Sequence, residues 1–243
     1  MDILYLITAR GGSRSIPRKN LAEIAGLSLI GFKARSALKS GSCSRLIISS
    51  DCPEIRAEGE RHGAAAPFER PAELAGDSAS SMDVIAHAMD WIEREEGRTY
   101  DAFMLLEPSS PFGRAGDYNG AVERMLQTGA NVVVGMRPME VHSTFTGEMD
   151  ADGGIGVIVD QIKARADRRR QHVGLEYTMN GAFYLCRWDH FRKHRDFYAD
   201  PAGTYGLAME PEYSVEIDEP LDLEWARFLV AHGVVDGRHW DLP

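Results

Sequence analysis

Arg10, Arg14, Arg18 and Lys19 place four cations within ten residues, with no acid among them, in a 243-residue chain whose formal net charge is -10. Between them Gly11 and Gly12 remove Cβ and let backbone N–H groups approach a ligand, while Ser13 and Ser15 add hydroxyl donors. Pro17 stiffens the stretch. Such a set suits a polyphosphate. The spacing is neither Gly-x4-Gly-Lys-Ser/Thr nor Gly-x-Gly-x-x-Gly, which excludes the usual NTPase and dinucleotide loops.

A second place for chemistry is Ser214-Val215-Glu216-Ile217-Asp218. If it is a strand, alternation puts Glu216 and Asp218 on one side, where two carboxylates can hold a divalent cation that also meets phosphate oxygens. A solvated sheet edge is the competing reading. Glu107 follows the apolar run Ala102 to Leu106 and opens Pro108-Ser109-Ser110-Pro111, a rigid polar segment where open α/β sheets place ligands. Ser80 and Ser81 precede a helical stripe of Val84, Ile85, Ala88, Met89 and Ile92, and each hydroxyl is free to cap the helix or to meet a ligand. His87 lies off that stripe and is expected to be solvated. No Gly-x-Ser-x-Gly or paired-His signature supports a hydrolase or a metal protease.

Elements that could position these residues follow from periodicity. Ile3 to Ile7 is a continuous apolar run that reads as a buried parallel strand emptying into the cationic loop. Leu29 to Lys39 has Ile30, Ala34, Ala37 and Leu38 at helical spacing; Leu46 to Asp51 reads as a strand, and Pro53 to about Arg61 as a helix. Ala102 to Leu106, a helix near Asp117 to Gln127 and Asn131 to Met136 continue the alternation. Ala182 to Cys186 and a last helix from Leu221 to His232 close it. The expected architecture is a single α/β domain over 1–243: a three-layer, open, mostly parallel sheet with right-handed crossovers. From about 137 to 179 the alternation fails. A turn at Asp150 to Gly154, an alternating Ile155 to Ile162 and the basic run Arg165 to Arg170 predict a hairpin-bearing arm, with self-association as its role and a solvated insertion as the alternative.

Hydrophobic content of 44% and charged content of 26% are those of an ordinary globular protein. The acidic balance speaks against nucleic acid or an anionic membrane as a partner. Cys43, Cys52 and Cys186 are odd in number and lack Cys-x-x-Cys spacing, so they are expected to be reduced thiols; no apolar run reaches transmembrane length, and Asp2 follows Met1 directly. A cytoplasmic protein is expected.

Taken in order, Ala9 to Asn20, Ile48 to Asp51, Arg70 to Ala75, Leu105 to Pro111, Arg170-Gln171, Asn180 to Ala182 and Glu216 to Asp218 resemble the N-acylneuraminate cytidylyltransferase family, which includes bacterial synthetases of CMP-legionaminic and CMP-pseudaminic acids. The resemblance implies a nucleotide-diphospho-sugar transferase-like fold with CTP and an acidic nine-carbon sugar as ligands, Mg²⁺ as cofactor, and a homodimer. It implies that Arg10, Gly11, Gly12, Ser13, Lys19 and Asn20 meet the triphosphate, and that Arg70 and Ser81 lie by cytosine and ribose. Glu107 and Asn180 would meet the sugar, and Glu216 and Asp218 the metal. In a dimer built by the arm, Arg170 would reach the sugar carboxylate of the neighbouring site.

The implied reaction is attack by the anomeric hydroxyl of an α-keto acid sugar on the α-phosphorus of CTP. Arg10 and Lys19 would stabilise the departing pyrophosphate, and Asp218 would carry the metal. No general base is evident. Three features depart from the family's usual pattern: Glu107 stands where Gln is common, Glu216 where Asp is common, and His142 to Phe145 lacks the usual lysine. A carboxylate at 107 beside an anionic sugar needs either a neighbouring cation or hydrogen-bond donors on the sugar. The competing readings are a lapsed nucleotide-binding module of the same fold, and a cytidylyltransferase for an eight-carbon sugar acid.

Overall fold

The computed structural model describes residues 1–13, 15–76, 79–164 and 174–242. In chain order the elements are β1 (Ile3–Thr8), β2 (Glu23–Ile24), β3 (Leu27–Ser28), α1 (Leu29–Lys39), β4 (Arg45–Ser49) and α2 (Pro53–Arg61). Then come α3 (Ser81–Trp91), β5 (Ala102–Leu106), α4 (Ala115–Thr128), β6 (Val132–Pro138) and α5 (Gly156–Lys163). Last are β7 (Tyr177–Arg187), α6 (Trp188–His194), β8 (Thr204–Ala208) and α7 (Pro220–Ala231).

Six strands form one sheet in the order β4-β1-β5-β7-β6-β8. β1 pairs in parallel with β4 and β5, and β6 with β8. β7 runs antiparallel to both neighbours, β5 and β6. The start of β7 therefore lies at the same end of the sheet as the carboxyl ends of all the others.

β1 up to Ile7 and β5 throughout are apolar because both of their faces are covered. Ile3, Tyr5 and Ile7 of β1 join Ala102, Met104 and Leu106 of β5 in one core layer beneath α1, α4 and α7. Leu4, Leu6, Phe103 and Leu105 point the other way, against α3 and α6. Pro220 stands at the first position of α7, where its missing N–H costs nothing.

Several expectations are corrected. Ile155 to Ile162 does not alternate as a strand but forms α5; the turn before it is closed by the Asp150 N–H on the Gly154 carbonyl at 3.0 Å, and no hairpin is built on it. The ends of the expected arm belong to the sheet, since Arg137 pairs with Thr178 and Pro138 with Tyr177. Ser214 to Asp218 lies outside any strand, anchored by Ile217 N–H on the Ser109 carbonyl at 2.7 Å. Its alternation survives: Val215 and Ile217 are buried, Glu216 and Asp218 exposed. His87 is half-buried instead of fully solvated; its ring packs edge-on against Phe68 and burial lowers its pKa. No helix among the described residues is long and apolar enough to cross a membrane.

One buried charge stands out in α1. Lys33 is 0% exposed and donates to the Ala182 carbonyl at 2.7 Å. Burial pulls its pKa down to about 7, against the opposing attraction of Glu107 and Asp117. In the unfolded chain a lysine titrates near 10.4, so between about pH 10 and pH 7 the unfolded state binds the proton that the folded state resists. Folding stability contributed by this site therefore falls as pH is lowered through that window, at up to about 1.4 kcal/mol per pH unit. Relative to the native chain, Lys33→Met should gain stability on going from pH 10 to pH 7, read by denaturant unfolding at each pH. Parallel stability curves across that range would contradict the assignment.

Candidate active site

The loop after β1 is held from below by ordinary packing. Ile16 is buried in the core, and Arg18 turns the chain in the left-handed region at φ 56° before the short helical turn Lys19–Leu21. Asn20 is buried and its side-chain amide donates to the Arg10 carbonyl at 3.0 Å. A side chain so placed shapes the loop from inside, whereas the resemblance had put it on the triphosphate. The Gly11 N–H is likewise committed, to Asp51 Oδ1 at 3.1 Å, and a Cβ there would sit 3.1 Å from Cys52 Cβ. Gly11 is thus used for close packing. Gly12 has open space around it, and Ser13 is half-buried beside it.

Arg10 and Arg70 meet in a hollow of about 280 Å³ whose wall also includes Thr8, Leu74, Ser81 and Val84. Arg70 reaches it from a buried position, with Nε donating to Ser49 Oγ at 3.0 Å. Burial lowers the Arg70 pKa to about 10, Asp51 opposing and the Arg10 guanidinium reinforcing. Two guanidiniums that repel each other across one hollow are relieved by an anion. The serine ambiguity resolves here: Ser80 caps α3, its hydroxyl accepting the Met82 N–H at 3.1 Å, while Ser81 lines the hollow.

A second, acidic pole lies at the same end of the sheet. Gly181, at φ +64°, marks it: a Cβ there would be 2.7 Å from Ser110 Oγ, 3.2 Å from Glu216 Oε1 and 3.4 Å from Glu107 Oε2. Only glycine suits both the backbone angle and the crowding. Burial raises the Glu107 pKa; Lys33 draws it back, and Glu216 and Asp218 push it further up. Glu216 is raised by burial and then by Asp218, with Arg137 and Lys19 opposing. Ser110 Oγ is buried with no partner among the described residues. Asn180 is 0% exposed; its amide donates to Ser214 Oγ at 3.0 Å and its carbonyl oxygen accepts the Ala182 N–H at 3.1 Å. It therefore fixes the backbone around Gly181 and does not present itself as the sugar contact that the resemblance implied.

Lys19 joins the poles, donating to the Ile217 carbonyl at 2.8 Å and to Asp218 Oδ1 at 3.1 Å. Arg170 lies outside the described residues. No group of three or more His, Cys, Asp or Glu among the described residues could by itself hold a metal. Glu216 and Asp218 nonetheless fit Mg²⁺, which takes one or two carboxylates and completes its shell with phosphate oxygens and water. Burial first, and the neighbouring carboxylates after it, raise the pKa of Glu107 and Glu216, and a bound cation would oppose both effects.

Two residues of this region escape the motif reading. Lys33 carried a signal, since it falls between Ile30, Ala34 and Ala37 on the buried stripe of α1. Arg137 carried none beyond its place at the end of a strand. A larger hollow, about 590 Å³, opens at the opposite end of the strands, lined by Asp2, Asp101, Arg187 and Lys193 among others. It mixes both signs and is remote from the cationic loop, so it is set apart from this site.

Comparison with known proteins agrees with the geometry. The family model described as "Cytidylyltransferase" matches residues 4–226. CMP-N,N'-diacetyllegionaminic acid synthase of Legionella pneumophila is 29% identical over 231 residues, covering 93% of this chain and 94% of that protein. Pseudaminic acid cytidylyltransferase of Campylobacter jejuni is 28% identical, covering 94% and 96%. N-acylneuraminate cytidylyltransferase of Escherichia coli is 30% identical, over 92% of this chain but 51% of its own length. Among solved structures, a CMP-2-keto-3-deoxy-manno-octonic acid synthetase complexed with CTP superposes with a TM-score of 0.66 at 17% identity, over 96% of this chain and 99% of the other; at that identity it speaks for the fold alone. With a family match running from β1 into α7, the chain belongs to the cytidylyltransferase family.

Proposed function

We propose that the protein transfers the cytidylyl group of CTP to the anomeric hydroxyl of a nine-carbon α-keto sugar acid, releasing pyrophosphate. The observation that carries this reading is the pairing of two poles on one sheet edge: the cationic hollow of Arg10, Arg70 and Ser81, and the acidic cluster of Glu107, Glu216 and Asp218, with Lys19 between them. Polyphosphate suits the first pole. A polyhydroxylated sugar suits the second, because ionised carboxylates are strong acceptors for hydroxyl and amide donors.

Phosphoryl transfer requires chiefly alignment and neutralisation of developing charge. Arg10 and the open backbone at Gly12 and Ser13 would hold the phosphates, and Arg70 with Ser81 would orient the nucleoside end. Lys19 would meet charge developing between the poles, and Glu107 would hold the acceptor sugar. Bound Mg²⁺, on Glu216 and Asp218, would supply a Lewis acid for the phosphate oxygens. We further read the segment between β6 and β7 as a self-association surface of a cytoplasmic homodimer. Met149, Val157 and Leu175 leave 69%, 55% and 66% of their surfaces exposed there. A monomeric mass in solution, with full activity, would remove that part of the reading.

The decisive experiment is pyrophosphate release with CTP, Mg²⁺ and a panel of nine-carbon sugar acids plus one eight-carbon acid. Release with a nine-carbon acid is expected; binding of CTP with no release from any panel member would instead identify a lapsed module. Asp218→Asn should leave the fold unchanged and cost at least ~10²-fold in turnover, and undiminished turnover after chelation of Mg²⁺ would remove the metal from the scheme. The two serines should separate. Ser80→Ala should cost about 1 kcal/mol of stability with little change in KM for CTP, whereas Ser81→Ala should raise that KM and leave the unfolding midpoint unmoved. A reversal of this pattern would return Ser81 to a capping role.

A further inference from the structure

In an α-keto sugar acid the carboxylate and the anomeric hydroxyl sit on the same carbon. The group that reads the carboxylate must therefore stand beside the acidic pole, where the hydroxyl is to react. Arg170, which the resemblance placed on this carboxylate from a neighbouring site, lies outside the described residues; among the described cations near that pole, most are already committed. Lys19 donates to Ile217 and Asp218, and Lys33 is sealed in the core on the Ala182 carbonyl. Arg114 is held by Asp117 and Glu210. Arg137 differs: it is exposed near the carboxyl end of β6 and, among the described residues, its side chain makes no hydrogen bond or ion pair.

Its position fits the requirement. Arg137 pairs in register with Thr178, three residues from Gly181 on the same strand, or about 10 Å along β7, a gap that an arginine side chain and a sugar ring can close together. It also forms one wall of a hollow of about 390 Å³ with Pro138, Met139, Val141, Thr178 and Pro211.

Building on the proposed function, we propose that Arg137 binds the substrate carboxylate in cis, through its planar guanidinium, and orients the sugar so that its acyl-bearing substituents enter the hollow beside β6. This explains how a third carboxylate is tolerated next to Glu107 and Glu216: a guanidinium stands between them. The mixed lining, apolar at Pro138, Met139 and Val141 and polar at Glu140, Thr146 and Thr178, suits acylamido groups, whose N–H needs an acceptor and whose methyl needs apolar surface.

The test is steady-state kinetics of the native protein, Arg137→Gln and Arg137→Lys with the panel acid turned over fastest, and with the C1 carboxamide of that acid. Arg137→Gln should raise KM for the acid at least ~30-fold, leave KM for CTP within about twofold, and abolish the preference for acid over amide. Arg137→Lys should restore part of that preference, since it keeps the charge but not the fork. An acid-over-amide preference unchanged in Arg137→Gln would overturn the assignment while leaving the proposed function standing. If the native protein turns over no panel acid, titration of each acid into the native protein with CTP bound replaces the kinetics. Binding weakened by Arg137→Gln would then support the carboxylate role without the reaction, and no binding of any panel acid would overturn both.

Discussion

Lys19 is the contact on which the geometry of the site turns, because it ties together parts of the chain 199 residues apart. Its ammonium is held by the Ile217 carbonyl and by Asp218, and its backbone lies in the short turn that ends the cationic loop. The segment carrying Glu216 and Asp218 belongs to no strand; Val215 and Ile217 seat it in the core, and directional contacts, this one and the Ile217 N–H on Ser109 among them, fix it beside the loop. Such contacts fix position well. They also leave Glu216 and Asp218 exposed, whereas a sheet ladder would have buried more of the segment.

The reversed strand β7 is the second constraint. In an all-parallel sheet the start of each strand faces away from the ligand edge, and residues such as Asn180 and Gly181 would lie at the wrong end. Running antiparallel to β5 and β6, β7 begins where its neighbours finish and brings Gly181 against the segment after β5. Asn180 secures this junction from inside the core, taking Ser214 with its amide and Ala182 with its carbonyl. A buried, satisfied amide at that point explains why the carboxylates of Glu107 and Glu216 converge on one spot while belonging to distant parts of the sequence.

How much of this was legible in the residues depends on which pattern each segment obeys. β1, α1, α2, β5 and α4 were readable because a buried strand or an amphipathic helix repeats its own signal over several residues. α5 was misread because Ile155, Val157 and Val159 fit a period of two while Ile155, Ile158, Val159 and Ile162 fit a period of 3.6 in the same short stretch. β8, Thr204–Ala208, is an exposed edge strand with little apolar pattern to announce it. In the site the same division holds. The cationic loop and the acidic pair declared themselves by composition, as did Glu107 by following a buried strand. Whether Ser80 or Ser81 caps α3, and whether Asn20 and Asn180 face in or out, depends on one side-chain direction each, which no period encodes.

The charge distribution then becomes intelligible as a whole. A chain of net charge -10 gathers Arg10 and Arg70 at one pole, and there the burial of Arg70 is made harder by the repulsion of Arg10. At the other pole Glu107 and Glu216 are held with raised pKa values, and Lys33 is buried beneath them with a lowered one. For Arg70, Glu107, Glu216 and Lys33 burial disfavours the charged form. The strain has opposite sign at the two poles. In the proposed function an anionic triphosphate would relieve the first, and a divalent cation together with hydroxyl and amide donors would relieve the second. The arrangement is therefore most stable when both kinds of ligand are present at once, which is the state in which a phosphorus and an incoming hydroxyl must be brought into line.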